Sequence, residues 1–522
     1  MPTGLLSHCW LSHSRPSHSR SRRSRIERML NRVLLCITIL LLYLLLGTAL
    51  AIYSRRRLAG TEQDFYVASG RLGGFLSAMT YAATTYSSFM IVGLVGLAYT
   101  TGVGALGFEL VYFVGTLMLL VLFARRVWSL ARQRGWVTPG EMLSELYGSR
   151  AVGATIGLVY LFAMIPYASA QLRGVGESLG GLGGSDTYFY LGVALGAFLV
   201  LSWSLLAGIW SVALTDAFQG LWMLTSAILL LVWVFLKLYS SNIGVAEVSS
   251  ALEAVGFSGP GGFWSIHVFL AFTVPWIFFA VTNPQVVQRL FMPRDSKSLS
   301  TMIRLFAVFG ITYTVTVTLI GLLARAGVER GTLSIVVERR DDVTPGLLGI
   351  ANPVISALVF TSIVAASVST ANSILLTLAG TVARDIVSVG REKARLRVGY
   401  VVAALITVAM VAIAASGAGY IVQLSVLSSL LLLSIAPPTL AAWIGVKSHP
   451  IPIVLAVLSG PAIMLVEALK CKLNYLVAFF SAPLGIPVST LILAVSSVLV
   501  AMGVLVRKMK ERRSPAGSPK TP

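Results

Sequence analysis

Charge is what this sequence has least of. Of its 522 residues only 11% are Asp, Glu, Lys or Arg, while 56% are apolar and the mean hydropathy is +0.84. A soluble globular domain carries about 25% charged residues. A chain with under half of that has too little polar surface to coat a water-soluble core. Cysteine is nearly absent. Cys9, Cys36 and Cys471 stand far apart, with Cys36 inside an apolar run, so neither a disulfide framework nor a cysteine metal site is indicated. Of five histidines, three belong to the N-terminal tail, and the remaining His267 and His449 have no metal-ligand spacing. There is no His-Glu-x-x-His, no nucleophile elbow and no Walker loop. A Gly-x-Gly-x-x-Gly match, Gly102 to Gly107, lies in a turn between two apolar runs without a βαβ unit. No enzymatic constellation and no cofactor site is legible, and no metal site other than one for sodium, argued below. Acidic residues are the rarer charge, 20 against 40 basic ones, giving +20 net. The excess is not a nucleic-acid surface, because the basic residues sit in short loops between apolar runs, where membrane topology puts them.

What the chain has in abundance is apolar runs near twenty residues. In hydrocarbon the backbone must satisfy its own hydrogen bonds, so these runs are helices. They are too long and continuous for barrel strands. Thirteen spans are expected, near 33–53, 73–100, 104–124, 151–172, 188–208, 216–237, 263–283, 301–324, 347–380, 398–415, 417–443, 450–469 and 485–506. Counting Lys and Arg by loop sets the orientation. With the first N-terminus outside, the inner loops and C-terminal tail hold 25 basic residues and the outer connections eight. The C-terminus is therefore expected in the cytoplasm and the N-terminus outside, in a multi-pass plasma-membrane protein. The tail opposes this, since residues 1–28 would place six arginines outside. Reading it as a signal peptide cleaved near Ala49-Leu50-Ala51 would force Arg55, Arg56 and Arg57 outside and invert every later loop. Translation is instead expected to start at Met29.

Thirteen spans also fit an internal plan. If spans 2–6 and 7–11 are two copies of five helices, each helix runs opposite to its counterpart, an inverted-topology repeat whose first helices should be broken near midplane. Span 2 carries Tyr81-Ala82-Ala83-Thr84-Thr85-Tyr86-Ser87-Ser88 at its centre and span 7 carries Pro275. The expected organisation is a basic disordered tail over 1–29 and a peripheral first helix with its cytoplasmic loop over 30–72. The two repeats follow over 73–243 and 263–443, then two peripheral helices over 444–506 and a cytoplasmic tail over 507–522. In span 9, Ser362, Ala366, Ser369, Thr370 and Ser373 recur three and four apart, making one small, hydroxyl-bearing stripe. Such a stripe is an ordinary helix contact by itself. Opposite a broken helix with freed carbonyls it makes a dehydrated, uncharged cage suited to a hard monovalent cation.

Several segments then resemble the sodium:solute symporter family, over about residues 30–510. Asp64-Phe65-Tyr66-Val67-Ala68-Ser69-Gly70-Arg71 resembles its entry motif before the second span, and Gly93-Leu94-Val95-Gly96-Leu97-Ala98-Tyr99 the end of that span. Trp136 to Leu143 resembles the cytoplasmic TxPE-L segment, Thr215-Asp216-Ala217-Phe218-Gln219 the TD-xQ motif and Val287-Gln288-Arg289 the QR motif. Ala365 to Ser373 resembles the AAxxSTADS stretch, with Asn372 where the family has Asp. The resemblance implies an all-α membrane fold of LeuT type, a 5+5 inverted repeat, and a sodium site between spans 2 and 9. Its carbonyls would come from Ala83, Tyr86 and Ala366 and its hydroxyls from Ser369 and Thr370. The Asn372 departure leaves that site without a nearby carboxylate and puts any second coupling ion in doubt. The implied function is sodium-driven symport of a small organic solute by alternating access.

Ionisable residues inside a membrane are functional suspects. Glu109 in span 3 follows Gly107-Phe108, a setting that resembles the GFE of sodium/glucose cotransporters, where this Glu contacts sugar hydroxyls. The competing reading is a snorkelling interfacial carboxylate. Phe278, Phe279 and Asn283 lie in the cytoplasmic half of span 7, where the resemblance places a solute-contacting or gating aromatic. Gln423 in span 11 is a further polar candidate. Arg173 could meet a carboxylate-bearing solute, against a simpler pairing with Glu177. Asp216 and Arg289 read as gate or structural residues. The rival functions are proton-coupled transport, which wants a titratable group at the ion site, a sensor or receptor without transport, and a passive channel.

Overall fold

The computed structural model describes residues 17–183, 185–254, 256, 262–387, 390–416 and 421–513. Among them, eleven helices are long and apolar enough to cross a membrane, and a bent pair adds a twelfth. In chain order, α1 is Leu34–Arg57 and α2 is the bent pair Gly74–Thr85 and Phe89–Thr101. Next come α3 Gly104–Arg134, α4 Arg150–Gly181, α5 Asp186–Ala207 and α6 Ile209–Tyr239. The segment α7 is itself broken into Ile266–Ile277, Phe279–Thr282 and Pro284–Arg289. Then follow α8 Ser296–Glu329, α9 Pro353–Ile386, α10 Glu392–Ala415, α11 Ile421–Trp443, α12 Pro450–Lys470 and α13 Val488–Arg512. Each of the thirteen expected spans has a helical counterpart in the expected order, although α7 is too short and broken to count among the membrane-crossing helices.

The differences lie at the ends. α3 runs ten residues past its expected limit of 124, carrying Arg125, Arg126, Arg132 and Arg134 on its last turns. The expected loop 209–215 is helix: α5 and α6 meet at Gly208 alone. Its φ of +54° and the Phe65 carbonyl 2.3 Å from where a Cβ would stand admit no larger residue. Residues 17–29, expected within the disordered tail, continue the helix of α1 backwards. Residues 1–16 of the expected tail and 514–522 of the C-terminal one lie outside the described residues, as do 417–420 at the expected start of span 11.

Helix α9 is the most enclosed span, with 83% of its apolar window buried, because it packs on α1, α4, α5 and α6 at once. The run of Ala, Ser and Thr from Ala365 to Ser373 lets those neighbours close in, since membrane helices associate through small residues rather than hydrophobicity. Helix α8 packs along α2, α3 and α6, while α12 and α13 pair at the periphery. Exposed Leu, Val and Phe side chains, such as Phe162 at 74% and Phe198 at 68%, stud the outward faces, as a lipid-facing surface requires.

The strongly basic loops gather on one face. Glu62 takes hydrogen bonds or ion pairs from Arg395 (2.8 Å) and Arg384 (3.7 Å), and Arg384 reaches Glu141 at 2.8 Å. Leu72 pairs with the 292–294 strand-like segment, and Arg132 donates to the carbonyls of Gly70 and Arg294. Three separate loops, 54–72, 125–150 and 381–397, are thus tied together on what we call the basic face. On the opposite face, Arg173 and Arg339 share Glu177 (3.0 and 3.2 Å), and Asp341 accepts from the Ile421 N–H at the start of α11 (3.1 Å).

Candidate functional site

The break in α2 is the centre of the site. Its first half ends where the Tyr86 N–H bonds the Ala82 carbonyl (2.8 Å). Tyr86 then turns extended, at φ −98° and ψ 104°, and the two halves meet at 50°. Thr84, Thr85, Ser87 and Ser88 are poor helix formers because their hydroxyls compete for backbone groups. Here that competition is visible. The Phe89 N–H bonds the Ser87 hydroxyl (3.2 Å), and Gln171 of α4 accepts from both the N–H and the hydroxyl of Ser88 (3.3 and 2.8 Å). The second half opens as π-helix over Phe89–Leu94. A broken span buried in protein must have its freed groups paired by neighbours, and Gln171 does so on the donor side.

On the acceptor side the partner is α9. The Ala83 carbonyl accepts from the Ser369 hydroxyl at 3.0 Å and the Thr370 hydroxyl at 3.2 Å, and Ser369 Oγ also lies 3.1 Å from the Ala366 carbonyl. Four of the five predicted ion-site residues therefore meet in one fully buried oxygen cluster, to which no carboxylate is hydrogen-bonded among the described residues. The fifth, Tyr86, is the break residue itself. Its ring packs on Phe306, Phe309 and Tyr313 of α8. The rest of the predicted stripe serves other ends: Ser373 bonds Arg289, and the Ser362 hydroxyl meets no partner among the described residues. Asn372, at the departure from the family motif, accepts from Ser204 of α5 at 3.3 Å.

The second broken span differs in detail from expectation. Pro275 lies inside a helix that runs on to Ile277, and the breaks come at Phe278 and again at Asn283. Pro275 lacks the N–H that would bond Ala271, but the residues after it still complete the turn. Phe279 stacks on Trp276 (5.5 Å, 2°), and Tyr112 meets both rings edge-on (5.3 and 5.7 Å). One turn back on α3, Glu109 is wholly buried, and neither carboxyl oxygen is hydrogen-bonded among the described residues. It is not a snorkelling interfacial group. Asn283 is buried, its amide 3.5 Å from the Thr282 hydroxyl and its carbonyl oxygen unpaired. Phe278 is half-buried at the break. Gln423 is apart from these, lining a cavity of about 480 Å³ with Phe272, Arg340 and Lys472 on the face opposite the basic one. Arg173 pairs with Glu177, the simpler of its two readings.

Toward the basic face the two repeats are joined by charge. Asp216 of α6 and Arg289 of α7 approach to 3.8 Å, both fully buried. Asp216 accepts from Thr80 of α2 (2.6 Å), and Arg289 donates to Ser373 of α9 (2.5 Å). Ser373 is one turn along α9 from Ser369, so this network lies next to the oxygen cluster on that side. Sequence reading missed the partners Thr80 and Gln171 and the cavity wall at Arg340 and Lys472. The first two are common helix residues, and the last two come from separate loops that only folding brings together.

Set against known proteins, the sodium:solute symporter family matches residues 65–442, which include the oxygen cluster, Glu109, Gln423 and the Asp216–Arg289 pair. The chain belongs to the sodium:solute symporter family. Two curated relatives are sodium/pantothenate symporters. That of Haemophilus influenzae is 24% identical over 352 residues, and that of Escherichia coli 25% over 350; each alignment covers 66% of this chain and 71% of the relative. Among solved structures, a Na+-coupled sialic acid symporter in a substrate-bound outward-open state superposes with TM-score 0.73 at 16% identity, covering 90% of this chain and 98% of that one. Mhp1, a nucleobase-cation-symport-1 transporter, reaches TM-score 0.54 at 14% identity over 89% and 98%. The fold of this symporter is thus the LeuT-type inverted repeat. Its family function is sodium-coupled transport of a solute across a membrane.

Proposed function

We propose that this symporter binds its coupling sodium ion at the cluster formed by Ala83, Tyr86, Ala366, Ser369 and Thr370, and uses it to import a small organic solute by alternating access. The observation that carries this is the Ala83 carbonyl, released by the break in α2 and met by two hydroxyls of α9 at 3.0 and 3.2 Å. Rotating those hydroxyls turns their protons away from the Ala83 carbonyl, and the hydroxyl oxygens and that carbonyl then offer lone pairs to a shared cation, so the donors that hold the two repeats together become ligands. The solute lies between the broken spans, against Glu109, Phe278, Phe279 and Asn283, and enters past Gln423. Asp216 and Arg289 close the path on the basic face. That face is the cytoplasmic one, with the C-terminus inside, the N-terminus outside and the plasma membrane as the site of action. Pantothenate, the solute named for two relatives, is the first candidate.

Purified protein screened by thermal shift against a solute panel, with sodium or choline, tests this reading. A true solute stabilises through binding to the native state, and more so with sodium present. A solute whose effect is equal in both salts, together with uptake into proteoliposomes that ignores the sodium gradient, overturns it. One observation favours a second coupling ion chemistry: Glu109 is a titratable group buried in the solute region. Accumulation driven by a pH gradient in sodium-free buffer would select proton coupling.

A further inference from the structure

Helix α4 meets the break in α2 with a single face. Tyr167, Gln171 and Gly174 stand four and three residues apart, so they share that face. The Tyr167 hydroxyl donates to the Ser87 hydroxyl at 3.3 Å. Gln171, wholly buried, accepts from the Ser88 N–H at 3.3 Å and from the Ser88 hydroxyl at 2.8 Å. At Gly174 a Cβ would stand 2.9 Å from the Ser88 side chain and 3.2 Å from the Ser367 hydroxyl of α9. The missing side chain is what lets α2, α4 and α9 close on one another at the break.

The Gln171 amide has one workable orientation. Its Nε2 donates to the Tyr167 carbonyl one turn back on α4 (3.2 Å), which leaves Oε1 for Ser88. Turned over, the amide would set N–H against N–H. An intact helix would serve the Ser88 N–H differently, by bonding it to the Thr84 carbonyl four residues back. The same turn would bring the Ser87 N–H onto the Ala83 carbonyl. Gln171 therefore takes the donor whose return to the helix would consume the oxygen that faces Ser369 and Thr370. The hold on α4 is also independent of the one on α9. When the Ser369 and Thr370 hydroxyls turn their protons away from Ala83 to become ligands, the bonds from Gln171 to Ser88 involve none of those groups and persist.

We infer that Gln171 is a positioning residue for the coupling ion: its Oε1 pins Ser88 to α4, keeps the break in α2 open and so leaves the Ala83 carbonyl available to sodium. It acts through Ser88 and is not itself a ligand. Losing the acceptor strands two buried donors, and a buried donor without a partner carries its full desolvation cost. The repair at hand is to rewind the turn, which closes the ion site from within. The inference deepens the proposed function and rests on placing the sodium ion at the cluster around Ala83.

The test is thermal stabilisation of the full chain by sodium chloride alone, titrated against choline chloride at constant ionic strength. Gln171→Met keeps the length of the side chain and removes the acceptor. It should raise the sodium concentration for half-maximal stabilisation at least about fivefold. Gln171→Glu, which keeps an acceptor for Ser88, should stay within about twofold of wild type. Ser88→Ala loses the hydroxyl bond but keeps the N–H bond, and should raise the requirement at least about twofold. Combined with Gln171→Met it should add nothing, since both remove the same contact. Melting in choline reads folding separately. A Gln171→Met protein that melts lower in choline but needs no more sodium would reduce Gln171 to packing and overturn the inference. So would Gln171→Glu failing as badly as Gln171→Met. If Gln171→Met does not fold, Ser88→Ala decides, and an unchanged sodium requirement there is equally fatal. Ser369→Ala with Thr370→Ala in the same titration keeps the two readings apart. If that variant responds to sodium as wild type does, or wild type responds no better to sodium than to choline, the proposed ion site itself falls. If it needs more sodium while Gln171→Met does not, only the positioning role falls.

Discussion

The Ser369 hydroxyl lies 3.0 Å from the Ala83 carbonyl, across 286 residues of sequence and from the opposite repeat. In an intact helix that carbonyl would accept from the N–H of Ser87. The extended backbone at Tyr86 removes that donor, and α9 supplies hydroxyls in its place. A carbonyl served by side chains rather than by its own helix can be surrendered to a cation without breaking secondary structure.

Replacing Ser369 and Thr370 together by Ala should therefore raise the sodium concentration for half-maximal uptake. Hydrogen bonds to charged groups contribute about 1.5–3 kcal/mol, so the loss of two ligands predicts a shift of at least about tenfold. Thr370→Ser, which keeps the oxygen, should shift it little. Sodium-titrated uptake in proteoliposomes measures both, and an unchanged sodium requirement in the double variant removes these hydroxyls from the site.

The Asp216–Arg289 pair predicts a stability effect rather than a change in sodium affinity. Both side chains are fully buried, and breaking a buried pair by removing one partner costs about 3–5 kcal/mol because the other charge is stranded. Arg289→Ala should lower the melting temperature sharply. Asp216→Asn with Arg289→Gln, which leaves no stranded charge, should recover part of it. Equal melting of the single and double variants would mean that the 3.8 Å contact couples the two residues no further than chance proximity.

Much of this was legible in the sequence because it follows from periodicity and composition. The apolar spans and the weak stretch near Ala83 follow from long apolar runs interrupted by hydroxyl-bearing residues, whereas the meeting of Ala83 with the Ser369–Thr370 face was implied by the resemblance to the family. The position of the second break was less legible. Pro275 is a local signal for a missing hydrogen bond, but where the helix yields depends on the aromatic layer of Trp276, Phe279 and Tyr112, which comes from two spans. The absent loop at 209–215 was hidden for a similar reason. Gly208 turns the chain in a single residue, and nothing in the flanking Ala207 or Ile209 marks it. Arg340 and Lys472 were invisible as a pair, because their proximity is a property of two distant turns.

Gly96 fixes the opposite-face turn against α2. A Cβ there would stand 2.0 Å from the Arg340 carbonyl, a backbone atom that cannot swing aside as a side chain would. Gly96→Ala should displace the turn that carries Arg340, lowering both melting temperature and uptake. Gly107→Ala, whose Cβ would meet only Phe269 at an ordinary 3.7 Å, serves as the control. If the two variants melted alike, the turn would be free to shift, and close packing at Gly96 would not constrain it.

Asp341 predicts a pH dependence of stability. Burial raises its carboxyl above the usual Asp value, against the opposing effects of the Ile421 N–H and the Arg340 charge, with Glu177 and Arg173 also facing it. A carboxyl raised in the folded state holds its proton where the unfolded chain has lost it. Its contribution is therefore most favourable in acid and declines as pH rises from about 4, the ordinary Asp value, through the raised one. Asp341→Asn keeps an acceptor for Ile421 and cannot titrate. Its melting temperature should fall less than that of the wild type across that window, and parallel melting curves would show that Asp341 does not govern this slope.

The electrical behaviour of transport follows from the absence of a carboxylate at the oxygen cluster. Each bound cation carries its charge across, and moving one charge is worth about 2.3 kcal/mol per 100 mV. A neutral solute carried with one sodium ion should accumulate about 50-fold more for each 100 mV of inside-negative potential. A monocarboxylate carried with one sodium ion moves no net charge, so the same potential should leave its accumulation unchanged. Asn372, standing where the family motif has Asp, is the residue that puts a second coupling ion in doubt: its amide oxygen accepts from Ser204 and carries no negative charge. Uptake of a carboxylate solute under potassium diffusion potentials, with valinomycin in proteoliposomes, measures this directly. Stimulation by negative potential would require a second sodium ion per cycle and would place a cation at a position other than the cluster around Ala83.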